Sequence, residues 1–174
     1  MADSGITKRA LAQALKELLK QQPLSKIRIS DICDKCEMNR KSFYYHFKDK
    51  YDLVNWIFIS ECPNVFNNSV SGDVWGALGF MCEYFYENRS YYRRVFKSVG
   101  QNCFSESLRA ICKESISNRL HSFSSDGEKE FAKEYYADIV VSGIERWITS
   151  PEPITPEEYI RRTKMCVQLL SGAK

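Results

Sequence analysis

The sequence predicts an all-α fold of about nine helices, with a three-helix helix-turn-helix unit first and a larger helical region after it. Three observations predict it. Apolar residues recur three and four apart through nearly every segment, and no stretch alternates convincingly as a strand. Helix punctuation is regular: Asp49, Thr155 and Pro156 stand where helices should begin, Pro23 and Pro63 just past where they should end. Residues 27–47 read as two short helices with a tight break, the second dense in groups able to bond DNA.

The first helix is expected to start at Thr7 as N-cap, with Ile6 and Leu11 placed for a hydrophobic staple. Its apolar stripe is Leu11, Leu15, Leu18 and Leu19. Short helices over residues 30–36 and 40–47 follow. A fourth, over residues 50–62, takes Asp49 as cap and Pro63 as stop, and buries Leu53, Trp56, Ile57 and Ile59. Residues 63–72, rich in Asn and Ser, make the boundary loop. Val74, Leu78, Met81, Cys82 and Phe85 mark the next helix, and residues 89–96 a short aromatic one. Phe104, Leu108, Ile111 and Ile116 mark a helix over residues 103–121, and residues 122–127 break the pattern. A long helix over residues 128–149 should bury Phe131, Tyr135, Ile139 and Trp147, while Gly143 suits close approach by another helix. Pro151 and Pro153 stiffen the connector to the last helix, which opens on a capping box of Thr155 and Glu158 with Pro156 between. Its apolar set is Tyr159, Ile160, Met165 or Cys166, Leu169 and Leu170.

At 174 residues, 44% hydrophobic and 27% charged, the chain has the composition of an ordinary globular protein with ample core. No apolar run is long enough to span a bilayer, and the first residues lack the basic start and apolar stretch of a secretory signal, so a cytoplasmic protein with no membrane partner is expected. Residues 1–53 carry eleven Lys and Arg against seven Asp and Glu; residues 54–174 carry fourteen against fifteen. The positive excess thus sits in the segment that resembles a DNA reader, as attraction to phosphates requires. Seven cysteines at irregular spacing are expected as reduced, mostly buried thiols.

A helix-turn-helix packs its first helix across the second so that the second enters the major groove. Ile29, Ile32, Cys33 and Cys36 supply apolar and small residues on the first helix, Met38 the turn, Phe43 and Phe47 the second. Asn39, Arg40, Lys41, Ser42, Tyr44, Tyr45 and His46 are left facing outward. Hydroxyls, Lys and Arg can hold phosphates and set register, while Arg and Asn can read base edges.

Three runs carry a family resemblance: Ile29-x-Asp31-Ile32, Asn39-Arg40-x-Ser42-Phe43-Tyr44-Tyr45-His46-Phe47 and Lys48-Asp49-Lys50-x-x-Leu53. Together they resemble the N-terminal signature of TetR-type transcriptional regulators, across roughly residues 7–57. The resemblance implies a three-helix DNA-binding domain, residues 1–53, and a helical ligand and dimerisation domain, residues 54–174, whose last two helices pair two subunits. Carried over by position, Tyr44 and Lys50 match residues that hold the DNA backbone, and Ser42 and His46 match further phosphate contacts. Asn39, Arg40 and Tyr45 fall where side chains reach bases or flanking phosphates. Arg28 stands where the family usually has a capping Thr, so Ser30 or Asp31 must take part in the cap, and Arg28 and Ser30 join the candidate DNA-binding set. Glu37 replaces the usual turn glycine, which implies strain or a different turn. Lys41 replaces a small residue and adds a charge facing DNA. The run from Asn39 to Trp56 is also similar to a narrower branch, regulators of dihydroxyacetone kinase operons, some of which act through a protein coactivator.

Cys33-x-x-Cys36 is read as packing: a structural zinc needs four ligands and a thioredoxin motif needs a strand-helix context, neither of which the sequence supplies. With two histidines and no G-x-S-x-G, P-loop or dinucleotide fingerprint, neither enzymatic chemistry, a metal nor a cofactor is expected. Trp75, Tyr84, Phe85, Tyr92, Phe96, Phe104, Tyr135 and Trp147 are the candidates to line a ligand pocket with Arg93 or Arg94 as polar fixtures; a large aromatic core is the other reading. The last two helices could pack on the core alone or form a four-helix interface between two copies. The expectation is a homodimeric, sequence-specific regulator of operator DNA, a repressor in preference to an activator, controlled by a small molecule or a protein. The alternative is a helical interaction module or coactivator-dependent activator with weak or no DNA binding of its own.

Overall fold

A computed structural model describes residues 2–62, 74–98, 103–117, 120 and 123–171. Among the described residues the regular structure is helical, as predicted: α1 (Ala2–Gln21), α2 (Ile29–Lys35), α3 (Arg40–His46), α4 (Lys50–Glu61), α5 (Val74–Glu87), α6 (Arg89–Phe96), α7 (Phe104–Ser117), α8 (Asp126–Thr149) and α9 (Pro156–Ser171). The Pro63 stop, the loop at residues 63–72, His121 and the Leu170 side chain lie outside the described residues. The chain divides into two compact units, Met1–Glu61 with Ser90–Ser107, and Cys62–Arg89 with Leu108–Lys174.

In the first unit, Leu11, Leu15 and Leu19 bury one face of α1, and α1 packs against α2, α3 and α4. Leu18 is only half-buried. α1 begins at Ala2, so Thr7 lies inside the helix and is not its cap, and Ile6 is exposed, so the staple does not form. Asp49 caps α4 as expected: its Oδ1 accepts from the Tyr51 and Asp52 N–H groups at 2.8 and 2.9 Å. Asp52 reciprocates by accepting the Lys48 N–H at 2.9 Å. The buried stripe of α4 is Leu53, Val54, Ile57 and Phe58, which turns Ile59 outward and leaves Trp56 half-buried. Adjacent pairs one turn apart put the stripe's centre between them, and Ile59 lies about 100° beyond Phe58. Phe58, Tyr92, Phe96 and Phe104 pack ring to ring, with centroids 5.3–6.5 Å apart. Arg94 donates to the Leu19 carbonyl at 2.5 Å, closing the end of α1.

In the second unit α5 packs against α8 and α9, burying Ala77, Leu78, Met81, Cys82 and Phe85. α8 starts at Asp126, earlier than predicted, because Ser125 and Glu128 form a capping box: Glu128 N–H donates to Ser125 Oγ at 3.2 Å and Ser125 N–H to Glu128 Oε2 at 3.1 Å. The face α8 buries is Ala137, Val141, Ile144, Trp147 and Ile148. Phe131, Tyr135 and Ile139 are exposed, against expectation; they share the opposite face of the helix. Trp147 stacks between Tyr86 (6.0 Å) and Tyr159 (4.5 Å), and its Nε1 donates to the Ile154 carbonyl at 2.9 Å, pinning the connector. Gly143 does permit a close approach: a Cβ there would lie 2.7 Å from the Tyr159 hydroxyl. Thr155 Oγ1 accepts the Glu158 N–H at 3.4 Å, so α9 starts where predicted, but the Glu158 carboxylate pairs with Arg161 and Arg162 and only the Thr155 half of the expected capping box is shown. Beyond Thr163 its apolar residues Met165, Val167 and Leu169 are exposed.

Candidate nucleic-acid interface

The interface is built by the turn between α2 and α3. Arg28 occupies the N-cap position of α2 without a side-chain cap of its own; Asp31 supplies it, accepting the Arg28 N–H at 2.8 Å. At the other end, Glu37 N–H bonds to Asp34 O at 3.3 Å and Met38 N–H to Cys33 O at 2.9 Å, with Glu37 at φ 55°. That pairing is a Schellman ending with a glutamate in the left-handed position usually given to glycine, so the turn geometry is kept and the strain accepted. Cys33 is buried and Cys36 points its Sγ at the Ile32 carbonyl, 3.2 Å away. Burial raises both thiols above the usual range. Cys33 thus belongs to the core and Cys36 is turned back onto its own helix.

α3 follows at once. Asn39 is its N-cap, its Oδ1 accepting from the Ser42 N–H at 2.8 Å and the Ser42 hydroxyl at 3.1 Å. The amide oxygen is therefore engaged, which leaves the Asn39 NH2 group as the part able to reach outward. Phe43 and Phe47 anchor the inner face, 0% and 3% exposed, with their rings 5.8 Å apart and Phe47 against Trp56 at 5.9 Å. That anchoring turns Arg40, Lys41, Tyr44 and Tyr45 to the surface, Tyr45 being 82% exposed. Neither Arg40 nor Lys41 is in an ion pair among the described residues, so both charges are available to a polyanion. His46 is half-buried, edge-on to Tyr45 at 4.8 Å.

Lys41, Ser42, Tyr45 and His46 share a concavity of about 590 Å³ with Asn39 and with Ser4 and Thr7 of α1. Sequence reasoning missed Ser4 and Thr7, because a cap at Thr7 would have placed that turn outside the helix. Lys48, exposed between α3 and α4, is a further cation it left out of the site. Of the residues it named, Arg28 is exposed and Ser30 half-buried beside Asp31. Lys50 stands apart: its ammonium is bonded inward to backbone carbonyls of the segment between α1 and α2.

The aromatic candidates for a ligand pocket are divided between the two units. Tyr92, Phe96 and Phe104 fill the core of the first unit; Phe85 and Trp147 are buried in the second. Trp75 and Tyr84 are half-buried, Trp75 lying under Lys164 at 5.3 Å, and Tyr135 is exposed. Arg94 is occupied with the end of α1.

Comparison with known proteins agrees with this geometry. Residues 6–57 match the family described as "Bacterial regulatory proteins, tetR family", and residues 76–168, just over half the chain, match "Transcriptional regulator C-terminal region". The chain is a TetR-family transcriptional regulator. This TetR-family protein is 29% identical over 97 residues to the HTH-type dhaKLM operon transcriptional activator DhaS of Lactococcus lactis subsp. lactis (strain IL1403). That match covers 55% of this chain and 52% of the relative, about half its length. In fold the regulator is similar to the solved dihydroxyacetone kinase operon activator DhaS, with a TM-score of 0.63 at 21% identity over 95% of this chain and 97% of that one. It is likewise similar to a TetR transcriptional regulator from Streptococcus agalactiae 2603V, with a TM-score of 0.66 at 19% identity over 95% and 96% of the two chains. The helix-turn-helix of a TetR-family regulator is its DNA-binding element, and here that element is α2 and α3. No described helix is long and apolar enough to cross a membrane.

Proposed function

We propose that the protein binds operator DNA as a homodimer, reading the major groove with α3 and responding to an effector through residues 54–174. The observation that carries the reading is the division of α3: Phe43 and Phe47 buried on one face, Arg40, Lys41, Tyr44 and Tyr45 turned outward on the other. In this reading Lys41, Ser42, Tyr44 and His46 hold phosphates together with Arg28 and Ser30, while Asn39, Arg40 and Tyr45 reach base edges or flanking phosphates. Ser4, Thr7 and Lys48 extend the contact surface. Tyr44→Phe or Lys41→Ala should weaken binding to every sequence, and loss of Lys41 should lower the salt slope by about one. Arg40→Ala should in addition relax sequence preference, at roughly 1–3 kcal/mol for a bidentate base contact. Selection of bound fragments from genomic DNA identifies the operator; variants that select the same fragments with unchanged affinity would overturn the assignment of α3.

The exposed apolar side chains of α8 and α9 support the dimer: Phe131, Tyr135 and Ile139 on one helix, Met165, Val167 and Leu169 on the other. A surface of that kind on a monomer is unusual, and a two-fold pairing would bury it. Sedimentation as a monomer at micromolar concentration would overturn this part. The effector is a small molecule or a protein partner, and binding it would change the populations of DNA-competent and incompetent states. Repression is the first reading for the sign of control. The Lactococcus relative, named as a transcriptional activator, favours activation as a second reading. A promoter carrying the selected operator in front of a reporter separates the two by the direction of the change when the protein is supplied.

A further inference from the structure

Lys50 is the first residue of α4, and its ammonium is directed into the protein. Its Nζ donates to the Leu24 carbonyl at 2.7 Å, the Ile27 carbonyl at 2.8 Å and the Ser25 carbonyl at 3.3 Å. An ammonium has three N–H donors and no acceptor, so these bonds use its whole capacity. The carbonyls belong to the segment that joins α1 to α2. Leu24 O also closes a tight turn by accepting the Ile27 N–H at 3.2 Å, whereas the ladder of α2 begins only at Arg28 O, which accepts from Asp31 and Ile32. The joining segment thus draws tertiary support from a side chain that starts another helix. Burial is the largest influence on the amine and lowers its pKa, although the Asp49 and Asp31 carboxylates nearby pull it upward. The Tyr51 ring centroid lies 5.6 Å from the charge.

We propose that Lys50 is a positioning residue for DNA binding: its ammonium ties the start of α4 to the α1–α2 segment and so holds Arg28 and Ser30 in register with α3. The proposal rests on the DNA-facing role given above to Arg28 and Ser30. It separates Lys50 from a phosphate ligand by chemistry. A compact ammonium can direct three donors onto three converging carbonyls, whereas a planar guanidinium spreads its donors in a fork and cannot. At a phosphate the order reverses, because the fork serves a phosphate at least as well.

The test measures binding of the full chain to a short random-sequence duplex across a series of salt concentrations, for wild type, K50R, K50M, R28A and the K50M/R28A double variant. The expected result is that K50R and K50M weaken binding to a similar extent, several-fold. The loss caused by K50M should shrink to less than about twofold in the R28A background, because the two changes act through one segment. Near-wild-type binding by K50R, together with a salt slope lowered by about one in K50M, would identify a phosphate contact and overturn the proposal. Full additivity of K50M and R28A would overturn it as well. If R28A alone binds like wild type, the DNA-facing reading of Arg28 falls, while the K50R comparison still decides the role of Lys50. Should K50M fail to fold by circular dichroism, K50Q takes its place with the same expectations.

Discussion

Replacing Glu37 by glycine should stabilise the protein. Glu37 is exposed, and its φ of 55° lies in the left-handed region because the Schellman ending of α2 demands it there. For an L residue that conformation costs roughly 1–2 kcal/mol. A carboxylate at the negative end of a helix adds about 0.3 kcal/mol at an exposed site. Glycine removes both terms, but the unfolded chain gains freedom worth roughly 0.5–1 kcal/mol. The difference is about 1 kcal/mol in favour of Glu37→Gly, which for a chain of this size raises Tm by roughly 2–4 °C. Two companion substitutions separate the causes. Glu37→Ala keeps the strained backbone and loses only the charge, so its gain should be about 0.3 kcal/mol. Glu37→Asn, which tolerates the left-handed region better, should fall between the two. Thermal unfolding followed by circular dichroism at fixed protein concentration reads all three. A gain from alanine equal to that from glycine would place the cost in the charge and refute the backbone argument; a destabilised glycine variant would refute both.

Gly143→Ala should destabilise by about 1 kcal/mol despite the better helix propensity of alanine, since the Tyr159 ring is stacked on Trp147 and cannot retreat freely. In a Tyr159→Phe background the hydroxyl is gone, and the same substitution should become neutral or favourable in a thermal melt. Alkylation at pH 8 followed by mass spectrometry should label exposed Cys166 first and leave Cys82 and Cys112 unmodified in the folded state, because burial pushes both of those thiols up to about 12 and holds them protonated. Phe131→Asp with Tyr135→Asp should shift sedimentation toward the monomer while leaving the melting of the α1–α4 helices intact; an unchanged sedimentation coefficient would remove α8 from the dimer surface.

Legibility in the sequence followed how local the determining contacts are. The helix-turn-helix was readable because its constraints are short-ranged: Phe43 and Phe47 four apart for the anchor, Asp49 three before Asp52 for the next helix. The Asn39 cap of α3, equally local, was passed over because Asn39 was read only as a DNA-facing side chain. The Thr155–Glu158 start of α9 was readable for the same reason. The roles of Lys50 and Arg94 were not, since each is defined by carbonyls 26 and 75 residues away in the chain. Lys50 reads as a DNA contact through its match to a backbone-holding position of the family, and only the fold shows its three donors on carbonyls of the α1–α2 segment. The start of α1 was misplaced because a threonine beside apolar residues carries the signature of a cap whether or not the helix continues through it.

The reading of α8 failed for a different reason, and it bears on function. Its apolar residues occupy two faces: Ala137, Val141, Ile144 and Ile148 point toward the rest of the second unit, while Phe131, Tyr135 and Ile139 lie on the far side with the Phe131 and Tyr135 rings stacked at 5.9 Å. Periodicity cannot say which face is interior, because burial within a chain and burial against another chain favour the same residue types. The large aromatics therefore looked like core, and the smaller residues of the true core were overlooked. A single chain leaves Phe131 70% and Leu169 74% exposed. Each large apolar side chain left in water forgoes roughly 1.5–3 kcal/mol that burial would supply, so α8 and α9 retain the chemistry of an unfinished core. A second copy supplying the same two helices, as in the proposed dimer, would complete it.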